Sequence, residues 1–285
     1  MLRPRYPDPV NSTPSEHPAP PAHGPSSDAS GARPVEPPKG RAIVVGASSG
    51  IGAALVRRLS AEGWNVAALA RRTDQLEGLA AECSAAAPDA PPIVTLEHDV
   101  QDTAAVPALF EQLARRLGGV DLVIYAAGIM SKIERHEYDT AKDLLLTRIN
   151  FEGCIAWCNE AANLMRTQRH GTIVGISSIA GDRGRKGNPV YGASKAAMDH
   201  YLEALRNRLA DAGVHVCTIK PGFVATAMTE GMEGLFWVIT PDEAARTILR
   251  AVRRRANVRY VPWRWSCVGL VIRSIPSFIF KRLNV

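Results

Sequence analysis

The chain predicts an α/β fold, a doubly wound, Rossmann-like parallel sheet in one domain, with a Pro-rich tail before it and an apolar, basic extension after it. Three observations predict it. From residue 41 onward, short apolar runs alternate with longer stretches of helical periodicity. The first run leads directly into Gly46-Ala47-Ser48-Ser49-Gly50-Ile51-Gly52, which opens a helix. The 285 residues suffice for one α/β domain of ordinary size plus appendages.

Residues 1–39 stand apart, with eleven prolines among scattered Ser, Ala and Gly. Such a segment buries too little surface to offset its ordering entropy and reads as disordered, as a tether, a partner-binding tail or a plain linker. It lacks the continuous apolar core of a signal peptide, and its mixed Asp, Glu and Arg are unlike an acid-poor transit peptide. The domain proper spans 40–257. Strands are expected at 42–45, 65–70, 93–97, 122–125, 172–176 and 215–219, each short and apolar throughout, as strands covered on both faces must be. Helices are expected at 51–61, 103–117 and 191–210, and their alternation with strands implies right-handed crossovers. In the extension, 258–285, a candidate last strand at 258–261 precedes Pro262-Trp263-Arg264-Trp265 and an apolar run to Phe280. That run contains Arg273 and Pro276 and is flanked by Arg264, Lys281 and Arg282, too short and interrupted for a membrane-spanning helix. It reads either as an interfacial segment on a membrane surface or as a tail packed on its own domain or a second subunit.

Five dispersed cysteines without a Cys-x-x-Cys pair indicate neither a disulfide framework nor a zinc site, and fit a cytoplasmic protein that is either free or peripheral on a membrane. The formal charge is +6, yet ten Arg and Lys and no acid follow residue 245, so the basicity belongs to the C-terminal end. No nucleic-acid-reading motif accompanies it, and nucleic-acid binding is not expected.

The glycine stretch carries chemistry. Glycines let a backbone approach a pyrophosphate closely, and a helix N-terminus offers unpaired N–H groups to its charge. At the tip of the second strand the chain reads Leu69-Ala70-Arg71-Arg72, without the acid that would accept from a ribose 2′-hydroxyl. Arg71 and Arg72 instead suit a 2′-phosphate, which points to NADP. Farther on, Tyr191 and Lys195 stand at i and i+4, so both share one helix face. The ammonium is expected to favour the phenolate and give a proton donor and acceptor near neutrality.

With these residues in view, the chain resembles the short-chain dehydrogenase/reductase family. Gly46-x3-Gly50-x-Gly52, Asp99, Ala127-Gly128, Asn150, Ser177-Ser178, Tyr191-x3-Lys195 and Pro221-Gly222 fall in that family's order, over about residues 40 to 245. The resemblance implies a hydride transfer between a nicotinamide and a carbonyl or secondary alcohol. In it Tyr191 is the general acid or base. Lys195 lowers its pKa and holds the nicotinamide ribose, Ser178 donates to the substrate oxygen, and Asn150 holds a water that links Lys195 to solvent. Ser177 reads as structural. For the cofactor it implies Gly46, Ser48, Ser49, Gly50, Ile51 and Gly52 at the pyrophosphate, and Asp99 and Val100 at the adenine. Ala127 and Gly128 fall under the ribose, and Pro221, Gly222, Val224 and Thr226 at the carboxamide. It further implies a dimer or tetramer. Two departures stand out: Val45 replaces the family's frequent Thr, and Tyr125-Ala126 replaces two Asn, which puts the bracing of the sheet in doubt. The loop 227–239 carries Met228, Met232, Leu235, Phe236 and Trp237, either as an apolar lid over a lipophilic substrate or as ordinary packing. A low-turnover nucleotide-binding regulator and a membrane-surface interaction protein remain alternative functions for the same motifs.

Overall fold

In the computed structural model, residues 39–134 and 136–283 are described; the Pro-rich segment read as disordered lies, apart from Lys39, outside them. Seven parallel strands form one sheet in the order β3-β2-β1-β4-β5-β6-β7. They are β1 (Arg41–Val45), β2 (Asn65–Ala70), β3 (Val94–Glu97), β4 (Leu122–Tyr125), β5 (Thr172–Ile176), β6 (His215–Pro221) and β7 (Val258–Val261). The chain winds outward from β1 to β3, then returns to β4 on the other side of β1. That reversal leaves a crevice beyond the carboxyl ends of β1 and β4, where ligands of open α/β sheets bind.

The alternation of side chains along β1 divides the core. Ala42 and Val44 face a layer made by α1 (Gly50–Ala61), α2 (Thr73–Ala86) and α7 (Pro241–Arg253). Ile43 and Val45 face the opposite layer, where Phe110, Trp157 and Met198 come from α3 (Val106–Leu117), α5 (Gly153–Gln168) and α6 (Pro189–Leu209). Both faces of the sheet are therefore covered at its centre, where β1, β2, β4 and β5 are buried and apolar past their first residues, whereas the edge strands β3 and β7 carry exposed Glu97 and Arg259.

Several boundaries differ from the sequence expectation for local reasons. The helix expected from 103 begins at Val106, because the Asp102 carboxylate accepts from the Ala105 N–H (3.1 Å) and forms a turn first. α6 begins at Pro189 instead of 191, with Asn188 as its cap accepting from the Tyr191 N–H (3.2 Å). Tyr191 therefore lies in the first, fixed turn of its helix. α4 (Thr140–Thr147) and α5 are joined by one π turn, Arg148–Glu152, which centres on Asn150.

The C-terminal extension is wired to the domain. β7 pairs with β6, and α8 (Trp265–Ser274) and α9 (Ser277–Phe280) follow. Trp265 is buried among Phe223, Phe236 and Trp237, stacked on Phe236 at 5.0 Å between ring centres. Of the two readings of this tail, packing on its own domain accounts for Trp265. Leu270, Val271 and Phe278 nevertheless face outward, each about 60% exposed. No helix among the described residues is long and apolar enough to cross a membrane.

Candidate active site

A cleft of about 450 Å³ opens at the carboxyl ends of the central strands. Gly46 and Gly50 adopt positive φ (+86° and +55°), and a Cβ on Gly46 would fall 2.4 Å from the Ala127 nitrogen. A Cβ on Gly52 would meet the Gly46 carbonyl oxygen at 2.1 Å, so only glycine permits this turn. Gly46 and Ala47 each donate to the Leu69 carbonyl (2.8 and 2.9 Å). These backbone bonds tie the loop to the sheet where Val45 offers no hydroxyl. Ser49 caps α1 without a side-chain bond, and Gly50, Ile51 and Gly52 of the first turn, whose N–H groups have no helical partner, line the cleft.

Arg71 and Arg72 project from the end of β2 and stay exposed at the cleft rim. Arg72 donates to the hydroxyls of Ser48 and Ser49 (2.8 Å each), which holds its guanidinium beside the glycine turn. Asp99 and Val100 lie across from it; the Asp99 carboxylate accepts from Gln101 through backbone (3.0 Å) and side chain (3.1 Å). Ala127 and Gly128 line the floor. Pro221, Gly222, Val224 and Thr226 also line the cleft, and the Thr226 methyl would touch a Cβ on Gly50 at 3.1 Å. Every residue assigned from the sequence to the cofactor thus lines this one cleft. Glycines without room for a Cβ, an uncapped helix start and two rim guanidiniums together fit a dinucleotide.

Ser178, Tyr191 and Lys195 meet at the inner end, all buried. Ser178 caps a 3₁₀ turn, Ile179–Asp182, by accepting from the Ala180 N–H (3.1 Å). Lys195 Nζ donates to the Ile176 carbonyl (2.9 Å) and lies 6.0 Å from the Tyr191 ring centre. Burial lowers the Lys195 ammonium to about 8, against the raising influence of Cys154 and Asp199. Burial likewise raises the Tyr191 phenol, opposed by the Ser178 hydroxyl and the Arg185 guanidinium. The expected pull of the Lys195 ammonium on Tyr191 does not appear in this balance: burial is the largest influence, and the groups that oppose it are Ser178 and Arg185. Arg185, half-buried between Ser178 and Tyr191 in sequence, was missed because nothing in its local pattern reveals its neighbours.

Asn150 does not line the cleft wall. Its Oδ1 accepts from the Ile129 N–H (2.8 Å), and its Nδ2 donates to the Ile129 carbonyl (3.0 Å) and to Ser194 Oγ (3.2 Å). A Cβ on Gly128 would lie 3.3 Å from Asn150 Oδ1 and 3.4 Å from Lys195 Nζ, so these two groups border the same small space. At Tyr125, where the resemblance leads one to expect Asn, the hydroxyl donates to the Ile149 carbonyl (2.5 Å) inside the π turn. Ser177 donates to the Lys195 carbonyl (3.2 Å), a structural contact. The cleft is also lined by His98, a buried ring held neutral by desolvation, and by Ile129 and Ile176, which no motif singled out.

Comparison with known proteins agrees with this geometry. The sequence model described as short chain dehydrogenase matches residues 41–233. An uncharacterised oxidoreductase of Mycobacterium tuberculosis (strain ATCC 25618 / H37Rv) is 33% identical over 256 residues, covering 90% of this chain and 99% of its own. An uncharacterised oxidoreductase of Myxococcus xanthus (strain DK1622) is 32% identical, covering 84% and 94%. The crystal structure of a short-chain type dehydrogenase/reductase from Mycobacterium marinum superimposes with a TM-score of 0.68 at 26% identity, covering 74% of this chain and 87% of that one.

Proposed function

Because the chain belongs to the short-chain dehydrogenase/reductase family of oxidoreductases, we propose that it is an NADP(H)-dependent enzyme that interconverts a carbonyl and a secondary alcohol. The observation that carries this reading is the buried meeting of Ser178, Tyr191 and Lys195 at the inner end of a cleft whose rim bears Arg71 and Arg72. The nicotinamide, when bound, supplies or takes the hydride. The protein supplies the rest. Tyr191 gives a proton to the carbonyl oxygen in reduction and takes it back in oxidation. Ser178 donates to the same oxygen as charge develops on it. Lys195, at about 8, exchanges protons near neutrality and is placed to resupply Tyr191. Asn150 fixes the backbone at Ile129 beside the ammonium. Arg71 and Arg72 favour a 2′-phosphate through charge-assisted bonds.

Met228 of the loop after Thr226 lines the cleft, and Met232, Phe236 and Trp237 beyond it are partly exposed, which supports a lipophilic substrate. Mixing the protein with NADPH and with NADH while following nicotinamide fluorescence, then turnover of a panel of ketones and aldehydes, tests the reading. Tighter binding of NADPH is expected, with turnover that falls about a hundredfold to ten-thousandfold in Tyr191→Phe while nucleotide binding persists. Full turnover in Tyr191→Phe overturns the catalytic assignment.

A second reading concerns where the enzyme works. Leu270, Val271 and Phe278 point outward beside Arg273, Lys281 and Arg282, and no acid follows Glu243. That combination supports docking of α8 and α9 on an anionic lipid surface of the cytoplasm. Full-length protein should float with anionic but not neutral liposomes, and Val271→Ser with Phe278→Ser should abolish flotation; no flotation with either lipid refutes it.

A further inference from the structure

Behind the cleft lies a buried ion cluster for which hydride transfer has no direct use. Lys220, 8% exposed, pairs with Asp182 and, at 2.9 Å, with Asp199. The Tyr260 hydroxyl donates to the other Asp182 oxygen (2.8 Å). Each of the three charged members belongs to an element that carries or adjoins residues of the cleft. Asp182 ends the 3₁₀ turn that Ser178 begins. Asp199 stands one helical turn beyond Lys195 on α6. Lys220 immediately precedes Pro221 and Gly222 on β6. The packing is close enough that a Cβ on Gly181 would lie 2.7 Å from Asp199 Oδ2 and 3.0 Å from the Ala196 nitrogen.

The C-terminal extension grips the same turn. Tyr260 comes from β7, and a Cβ on Gly269 of α8 would strike Asp182 Oδ2 at 2.3 Å. Arg183, the next residue, donates to the carbonyls of Ile272, Arg273 and Ile275 (3.1, 3.0 and 2.8 Å) and lies 4.4 Å over the Phe280 ring. It therefore satisfies carbonyls that the end of α8 leaves without helical partners.

We propose that Lys220, Asp182 and Asp199 are positioning residues that hold the Ser178 turn against the helix of Tyr191 and Lys195, and that the extension, through Tyr260 and Arg183, completes this clamp. The inference rests on the dehydrogenase reading for its catalytic consequence but not for its structural one. One ammonium between two carboxylates in a buried setting is directional. Lys220 is drawn down by burial but raised overall by Asp182 and Asp199, while burial raises the Asp199 carboxyl against the pull of Lys220, so Asp182 is held by a hydrogen bond and Asp199 by proximity of charge alone. The same arrangement reaches Lys195 electrostatically, because Asp199 is one of the two groups that raise its pKa. The charged and titratable groups around the cluster are Glu203 and Arg206 of α6, Tyr260 of β7 and Arg273 of α8, which line a cavity of about 330 Å³ with Asp199 and Lys220.

Three full-length variants test it: Tyr260→Phe and Arg183→Met, which each remove one grip, and Asp199→Asn. Hydrogen exchange at Ala180 and Gly181 gives a readout that needs no turnover. Tyr260→Phe and Arg183→Met should each speed exchange at these amides. They should also lower kcat with NADPH binding unchanged, by about tenfold for Tyr260→Phe, which loses one charge-assisted bond, and by at least as much for Arg183→Met, which loses several. Asp199→Asn should move the Lys195-dependent limb of the pH profile to lower pH, since a carboxylate that favours the ammonium is gone. Unaltered exchange in both Tyr260→Phe and Arg183→Met overturns the clamp. Faster exchange with unchanged kcat overturns the positioning role while leaving the dehydrogenase reading intact. A wild-type protein that never turns over, but exchanges faster in the variants, sinks that reading and leaves the structural clamp standing.

Discussion

At the scale of single residues, the site depends on opposing influences on one phenol. Burial raises Tyr191, while the Ser178 hydroxyl and the Arg185 guanidinium pull it back. Oxidation of an alcohol needs the phenolate, and reduction of a carbonyl needs the phenol. Arg185→Leu removes a cation that favours the phenolate, so Tyr191 titrates higher. The rising limb of the oxidation profile should move to higher pH, while reduction at neutral pH should be nearly unaffected. Measuring kcat against pH in both directions checks this; an unmoved oxidation limb would show that Arg185 does not face the phenol in the working enzyme. Arg72 offers a second residue-level test. With its guanidinium held beside the glycine turn by Ser48 and Ser49, Arg72→Ala should weaken NADPH binding by about tenfold to a hundredfold, the range of one charge-assisted bond. NADH binding, titrated alongside by fluorescence, should change far less.

At the scale of elements, the π turn Arg148–Glu152 shows how a helix junction is braced from a distant strand. Asn150 ties this turn to Ile129, and Tyr125 reaches into it from the end of β4. Gly153 leaves the space, since a Cβ there would sit 2.5 Å from the Tyr125 hydroxyl. Tyr125→Phe should therefore cost about 1–2 kcal/mol, because the buried Ile149 carbonyl loses the hydroxyl it accepts from. A urea midpoint that does not fall would contradict this. The sheet itself was legible in the sequence, because its central strands, buried on both faces, are apolar past their first residues and glycine punctuates the first crossover. The π turn was not, since its extra residue is compensated by contacts from β4 that lie far off in sequence. The start of α6 escaped for a related reason: the Asn188 cap and Pro189 precede any periodic residue. The grouping of Tyr191 with Lys195 was readable from i, i+4 spacing, whereas Arg185 and the Lys220 cluster owe their placement to tertiary packing alone.

At the scale of the whole molecule, the active site sets a limit on stability. Lys195 titrates at about 8 in the fold and at 10.5 when ordinarily solvated. Below about pH 8 both folded and unfolded chains bind the proton, and the fold carries the full penalty of a buried ammonium, on the order of 3 kcal/mol. Between about 8 and 10.5 the folded chain releases its proton while the unfolded chain keeps it. The unfolded state then binds more protons, so the Lys195 contribution rises with pH and the penalty fades. Above that window neither state is charged and the term is gone. Lys195→Met should thus stabilise the protein at neutral pH, by up to about 2 kcal/mol once the donor lost to the Ile176 carbonyl is counted. On the proposed mechanism the same variant also loses the proton supply of Tyr191, the usual conflict between a strained site and a stable fold. Denaturation of both proteins at about pH 7 and about pH 10 decides the matter, because only a relieved buried charge makes the advantage of Lys195→Met shrink as pH rises. An advantage that stays constant would trace to packing of the methionine, and no advantage at neutral pH would mean that the ammonium is solvated in the folded enzyme.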